Sequence, residues 1–424
     1  MKKGVPMSKK PYTFKLFCLF NFILLSMLNL NLSYATTHCA TPTGTGTGAC
    51  GSSPASLVDA VSLAIPGDTI RLAPGTFTLS STLSFNNDNV KVIGSGVGST
   101  TIDCNSLASG SDCIEMVGMI TSSFEVSHLT IDSTNTVGIT AVGTDPTVSN
   151  IKITGTSDEA LYLEDSESEV KFSVIEGKSI SLRNSSAIIH NNILTGDGGG
   201  YGVKSMTEAT GHSRNKVIKN TLTNFSTAAY FDNYGYDYSI IHQNRIDDNN
   251  VGIFFRQWAG LISNNLINNN SMAIYIGMAE SYNARIVYNT IADNNNLIGM
   301  GIYNTAYDFA PGNTFIANNI IYGHSKDGIS NVSWSDPMDV GYNLFYSNST
   351  DIDGPYNDLG GNLYSDPLFI GSGNYRLQPG SPAINAASVS LFWLPVDLVN
   401  TSRMCHPKDP TPCPDMGCYE KPNF

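Results

Sequence analysis

The chain has 424 residues, 23 Lys and Arg against 36 Asp and Glu, and a formal net charge of −13. That balance argues against nucleic acid and anionic membrane surfaces as partners. Hydrophobic residues make up 41% of the chain but come in short runs among 39 glycines and many Asn, which suits short strands and turns better than long helices.

Residues 1–35 read as an export leader. Lys2, Lys3, Lys9, Lys10 and Lys15 precede an apolar run from Leu16 to Leu32, and Ser33-Tyr34-Ala35 supplies the small-x-small pattern that signal peptidase reads. Met7 is an alternative start. Asn21, Asn29 and Asn31 interrupt the run and no stop-transfer segment comes after it, which argues against a permanent anchor. Cys39 lacks the small residues that precede a lipidated cysteine. The expectation is cleavage after Ala35, no transmembrane segment in the mature chain, and a periplasmic, cell-surface or secreted location.

Residues 36–51 are rich in Thr and Gly and are expected to be loosely ordered. Ser56 to Ile65 has the one helical apolar period and is placed as a cap on the open end of a stack of strands. Strand-like segments then begin: Asp68-Thr69-Ile70-Arg71-Leu72, Pro74-Gly75-Thr76-Phe77, Val90-Lys91-Val92-Ile93 and Thr100-Thr101-Ile102-Asp103. Gly94-x-Gly96-x-Gly98 falls in a turn with no helix after it, so it is not a nucleotide loop.

Farther along, an Asn-x-(Ile/Leu) signature recurs, led by Asn191, Asn220, Asn244, Asn264, Asn289 and Asn318, at gaps of 29, 24, 20, 25 and 29 residues. The frame reaches back through Phe172-Ser173-Val174, Ser149-Asn150-Ile151 and Ser127-His128-Leu129, and forward to Tyr342-Asn343-Leu344. Such a period marks a stacked solenoid, and each unit holds two or three short alternating strands with no helical period. The prediction is an all-β, right-handed parallel β-helix over 52–346, with 347–424 as a C-terminal extension that finishes or caps the stack. The repeated Asn is expected to form an internal amide ladder serving buried backbone groups. The Asn-x-Ser/Thr sequons are incidental to an Asn-rich chain.

Coils ~4.8 Å apart would separate the chain ends by ~50 Å, beyond the ~7 Å reach of a disulfide. Bridges are therefore expected to be local, within Cys39 and Cys50, Cys104 and Cys113, and the group Cys405, Cys413 and Cys418. Seven mature cysteines leave one unpaired, assigned to the last group.

Stacking the units puts Ile139, Leu161, Ile180, Val203, Ala229, Ile253, Ile274 and Ile302 inward. The next residue in each strand then points out: Thr140, Tyr162, Ser181, Lys204, Tyr230, Phe254, Tyr275 and Tyr303. Two places on stand Glu164, Arg183, Met206, Asp232 and Arg256. The row Tyr230, Phe254, Tyr275 and Tyr303 has two readings: a platform for sugar rings, or a satellite core covered by the long turns beyond the strands. On the first reading, Lys204, Asp232, Arg256 and His242 are the candidate catalytic residues. Uronate elimination needs a base and positive charge, and hydrolysis needs paired carboxylates, for which Asp232 and Asp237 are candidates. His212 and Arg214 lie near in sequence. A Ca2+ ion could be held by Glu164, Asp165 and Glu167, an acidic run that also reads as a solvated turn.

The segments SLVDAVSLAIPGDTIRLAPGTF and VKVIGSGVGSTTID resemble the opening coils of the pectate-lyase-like superfamily of right-handed β-helix proteins, and the Asn-rich middle resembles its carbohydrate-associated repeats. DPLFIGSGNYRLQPGSPAINA and DMGCYE resemble the C-terminal region of secreted bacterial β-helix proteins that carry interchangeable surface anchors. The chain stops four residues after Glu420, so no anchor is expected. The resemblance implies a polysaccharide or surface glycan as partner and a lyase, epimerase or hydrolase as the enzyme class. A scaffold does not fix a function, and a non-catalytic adhesion module is the alternative.

Overall fold

The computed structural model describes residues 35–86, 89–117, 123–155, 159–177, 179–208, 211–233, 238–256, 259–277, 284–305, 314–332, 337–403 and 414–421. Residues 1–34, which hold nearly all of the expected export leader, and Asp237, Cys405 and Cys413 lie outside these. Contacts divide the chain into Met1–Ala35 and Thr36–Phe424, and the described strands all lie in the second unit.

Three long parallel sheets build it. Sheet 1 has 14 strands from Thr37–Ala40 to Tyr356–Asp358, sheet 2 has 13 from Gly75–Thr78 to Leu363–Tyr364, and sheet 3 has 12 from Leu83–Phe85 to Thr350–Asp353. From Thr69–Leu72 to Leu363–Tyr364, strands that are consecutive in the chain fall in different sheets. Ile188–His190, Ile193–Thr195 and Tyr201–Thr207 each open a different sheet position, and the chain then returns to pair Lys216–Ile218 with Ile188–His190. The result is the expected parallel β-helix, one strand of each sheet per coil. Inward side chains stack along one bore: Ile139, Leu161, Ile180, Val203, Ala229, Ile253, Ile274 and Ile302 are all fully buried and in register.

A column of small residues precedes that row and explains the Gly-Ile pattern. A Cβ on Gly202 would stand 2.5 Å from the Ala228 carbonyl oxygen, and one on Gly301 2.3 Å from that of Gly328. The corner is too tight for larger groups, so two successive residues face inward there.

At the corner between sheets 1 and 2 the amide ladder forms. Asn192, Asn220, Asn244, Asn265, Asn289, Asn319 and Asn343 each pass a side-chain N–H to the next amide oxygen at 2.9–3.4 Å, ending on Asn362. The register differs from the sequence frame in three coils, where Asn191, Asn264 and Asn318 precede the true rung. Those residues hold the left-handed corner position, with φ of 56°, 53° and 61°. Lys219, Gln243, Tyr288 and Tyr342 hold the same conformation in other coils, which costs each an L-residue's ~1–2 kcal/mol. The ladder behind them offsets it.

The one described helix, α1 (Leu57–Leu63), has Ser56 as N-cap accepting from the Asp59 amide, and buries Leu57 and Ala60 over the first coil. The 36–51 segment is more ordered than its composition suggests. Thr37–Ala40 pairs with Thr69–Leu72, and the Cys39–Cys50 disulfide closes the segment with Cα atoms 4.9 Å apart. Thr/Gly composition conceals an edge strand whose backbone has a partner. The second bridge joins Cys104 and Cys113, local as expected, and Cys418 is a buried free thiol. At the other end the β-helix continues past Tyr346 to Leu363–Tyr364, and the remainder turns back along its flank. No described helix is long and apolar enough to cross a membrane.

Candidate functional site

Sheet 3 carries the outward row in the expected register. Lys204 pairs with Tyr230, Tyr230 with Phe254, Phe254 with Tyr275, and Tyr275 with Tyr303. Tyr230 and Phe254 stack with centroids 4.8 Å apart and 8° between planes. Tyr275 meets Phe254 edge-on at 5.1 Å and lies tilted by 31° against Tyr303 at 5.5 Å. Gly277 clears the seat of Phe254, since a Cβ there would come within 2.7 Å of the ring tip. All four rings are partly buried, neither open nor sealed.

Tyr201 adds a fifth ring, 4.9 Å from Tyr230. Strict alternation hides it, because Gly202 and Val203 are both buried at the tight corner and Tyr201 therefore faces out with Lys204. The signal was the Gly after the aromatic, a corner residue rather than a strand interior.

The charged end of the row is arranged by its own pairs. Arg256 grips Asp232 with two bonds, Nε to Oδ1 at 2.9 Å and a terminal nitrogen to Oδ2. Asp232 is only 7% exposed, whereas Arg256 stays partly open to solvent. Lys204 Nζ lies 5.3 Å from the Tyr201 ring centre, a cation–π position. Farther back along the row, Arg183 Nε reaches Glu164 at 3.5 Å and also engages Glu208, while the Tyr162 hydroxyl donates to Glu164 at 2.8 Å. Burial pushes the Tyr230 phenol up, with the Asp232 charge adding to it. Of these side chains, Tyr162, Arg183, Lys204, Glu208 and Asp232 line a cavity of about 430 Å³, together with Glu159 and Ser181. Lys204, Asp232 and the ladder therefore meet on one face, and Arg256 borders it.

His242 is not part of this group. It ends the sheet 1 strand Tyr238–His242, one sheet further round the coil, with Nδ1 bonded to Ser263 Oγ at 2.8 Å. Burial drops its imidazole to about 4, with Lys219 and Arg403 assisting. Its strand and that of Asp232, Thr227–Asn233, belong to different sheets, so closeness in sequence did not become closeness on a face. His212 and Arg214 stand exposed on the turn leading into sheet 1. The Ca2+ candidates also diverge: Glu164 is engaged by Arg183, Asp165 sits exposed at a corner with φ 48°, and Glu167 is bonded through its backbone amide to Asp145. Among the described residues no three His, Cys, Asp or Glu side chains group as a metal site.

The right-handed β-helix region family matches residues 178–349. No curated protein sequence matches the chain. Among solved structures, XylC in complex with xylose aligns over 91% of this chain and 98% of its own, with TM-score 0.64 and 10% identity. The A-module of the Azotobacter vinelandii mannuronan C-5 epimerase AlgE6 aligns over 73% of this chain and 93% of its own, with TM-score 0.54 and 17% identity. Tailspike protein 3 of bacteriophage CBA120 aligns over 76% and 61%, with TM-score 0.54 and 12% identity. At these identities the likeness is one of fold. The chain is a right-handed parallel β-helix.

Proposed function

We propose that this chain is an exported protein that binds a polysaccharide along the outer face of sheet 3, with the cavity at Lys204 and Asp232 as the place where the glycan is held most closely. The single observation that carries this reading is the ladder. Five rings at coil spacing, partly open, run directly into a cavity lined by cations and carboxylates. Ring faces pack against sugar C–H faces while Lys204 and Arg183 meet hydroxyls or carboxylates of the glycan. The fold shared with a mannuronan epimerase and a xylose complex supports a glycan as the partner. Export is supported by the two disulfides of the mature segment, which persist in oxidising compartments.

Bond-changing chemistry would rest on Lys204 as the proton acceptor at a uronate C5, with Arg183 and Arg256 stabilising the carboxylate as its charge grows. One observation favours binding alone: the carboxylates around the cavity are already engaged. Arg256 holds Asp232, Arg183 holds Glu164 and Glu208, and the Ser181 hydroxyl donates to Glu159 at 2.7 Å, an arrangement ill suited to the paired carboxyls of a hydrolase. A glycan array followed by ultraviolet detection of unsaturated uronate and reducing-end assays on each hit decides. Binding with bond change supports the lyase or epimerase reading, binding alone the adhesion module, and no binding to any glycan removes the groove. N-terminal sequencing of the mature protein should begin at Thr36, and recovery of an intact Met1 or Met7 terminus in the membrane fraction would overturn export.

A further inference from the structure

A second cavity, of about 600 Å³, lies where the C-terminal hairpin crosses the outer side of sheet 2. The hairpin pairs Phe369–Gly371 antiparallel with Asn374–Leu377. Its walls are Asp293, Tyr322, Asp366, Phe369, Tyr375 and Gln378, together with Asn269 and the hairpin tip. Its volume falls within the ~300–1,000 Å³ of ligand pockets.

The wall chemistry is specific. Phe369 stands edge-on to Tyr322 at 5.3 Å and to Tyr375 at 5.2 Å, which fixes its ring while both Phe369 and Tyr322 keep partial exposure. The buried Tyr375 hydroxyl donates to Asp293 Oδ2 at 2.9 Å and holds that carboxylate in place. Asp366 accepts the Leu368 amide through Oδ1 at 2.8 Å. Both carboxylates, Asp293 and Asp366, line the cavity beside Tyr322, whose phenol is raised by burial and further by their charges. The described lining contains no Lys, Arg or His.

We infer that this cavity is a second carbohydrate site, specific for neutral pyranose units. Sugar hydroxyls donate to the two carboxylates and to the Gln378 amide oxygen, and a sugar face lies on the Phe369 and Tyr322 rings. Two fixed negative charges without a cation reject uronates, the reverse of the sheet 3 cavity with its Lys204 and Arg183. The inference stands on the hairpin cavity alone and does not depend on the sheet 3 reading.

The test titrates the mature chain with maltohexaose, cellohexaose, xylohexaose, mannohexaose and hexagalacturonate, by calorimetry and saturation-transfer NMR. Two variants accompany the wild type. Asp366→Asn keeps the shape and removes one charge. Gly371→Trp fills the cavity mouth, where a Cβ meets no atom within 4 Å and the backbone is not left-handed. At least one neutral hexaose should bind, about tenfold more weakly in Asp366→Asn and not measurably in Gly371→Trp, with melting temperatures unchanged. Excess hexagalacturonate should leave that binding intact. The inference is overturned if no neutral hexaose binds the wild type, if Gly371→Trp binds as tightly as wild type, or if hexagalacturonate displaces the neutral ligand.

Discussion

Among single residues, the ladder rings sit between the two readings that the sequence left open. Tyr230 is packed between Tyr201 and Phe254 and also reaches Asp232 Oδ2 with its hydroxyl at 3.4 Å. Tyr230→Ala is expected to lose about 1–3 kcal/mol of stability from two ring contacts, less than a sealed core aromatic loses. Glycan binding should weaken by ~1 kcal/mol or more as well. Urea melts beside titrations read both numbers, and a stability loss above ~4 kcal/mol would make the row core rather than platform. His324 is a different case. It occupies the position that Asn249, Asn270, Asn294 and Asn348 fill in a second, shorter ladder, and is almost fully buried. Its ring nitrogens face the Ile291 and Asn294 backbone without a well-formed hydrogen bond.

Burial lowers the His324 imidazole from 6.5 to about 4. Between those values the unfolded chain binds the proton and the folded chain does not, so stability is full above pH ~6.5 and falls as pH drops toward 4. His242 contributes in the same window and direction. His324→Asn should restore the missing rung, raise stability by ~1 kcal/mol at neutral pH, and roughly halve this acid sensitivity. Denaturant melts at pH 5 and pH 7.5 check both effects; an unchanged pH slope would remove the assignment.

Among the elements, the main amide ladder is what lets the corner between sheets 1 and 2 hold so many left-handed residues. Asn265 shows the pattern: it accepts from the Asn244 amide and side chain, and donates to the Ile241 carbonyl and to Asn289. Asn265→Ala breaks all of these while leaving backbone groups buried, with an expected loss of about 3–5 kcal/mol. Asn343, near the end of the row where Asn362 is its last partner at 3.4 Å, should lose less. Chemical denaturation of the two variants compares them, and equal losses would mean the ladder is not cooperative. The left-handed column has a second use. Gln243, Asn264, Tyr288 and Asn318 send side-chain bonds to Asp397, Val396, Phe392 and Ser388 of the returning C-terminal segment.

Across the whole molecule, that returning segment is clamped by one fully buried cation. Arg403 donates to Asn264 Oδ1 and the Gly417 carbonyl at 2.8 Å, to the Asp415 carbonyl and Glu420 at 2.9 Å, and lies over the Tyr288 ring. The DMGCYE segment that carried the resemblance is thus the docking seam between flank and coils, with Cys418 N–H on Thr290 and Glu420 N–H on Asp397. Arg403→Ala would leave Glu420 and its acidic neighbours without their cation, at a cost of about 3–5 kcal/mol. Limited proteolysis should then cut within 365–421 well before the coils. Simultaneous digestion of coils and flank would show that the two unfold as one unit.

Periodicity in the chain was enough to dictate the parallel β-helix, its bore, the register of the sheet 3 rows and the local disulfides. Strand alternation gives the face, and the repeat length limits which residues can meet. Periodicity could not choose which Asn of an Asn-Asn pair is the rung, because both suit the corner and only stacking against neighbouring coils selects Asn192, Asn265 and Asn319. It missed Tyr201 because the corner at Gly202 breaks alternation. It grouped His242 with Asp232 because chain distance does not record the turn from one sheet to the next. The second cavity was beyond it altogether, since Asp293, Tyr322 and Phe369 are brought together only when the C-terminal segment folds back across coils that lie far before it in the chain.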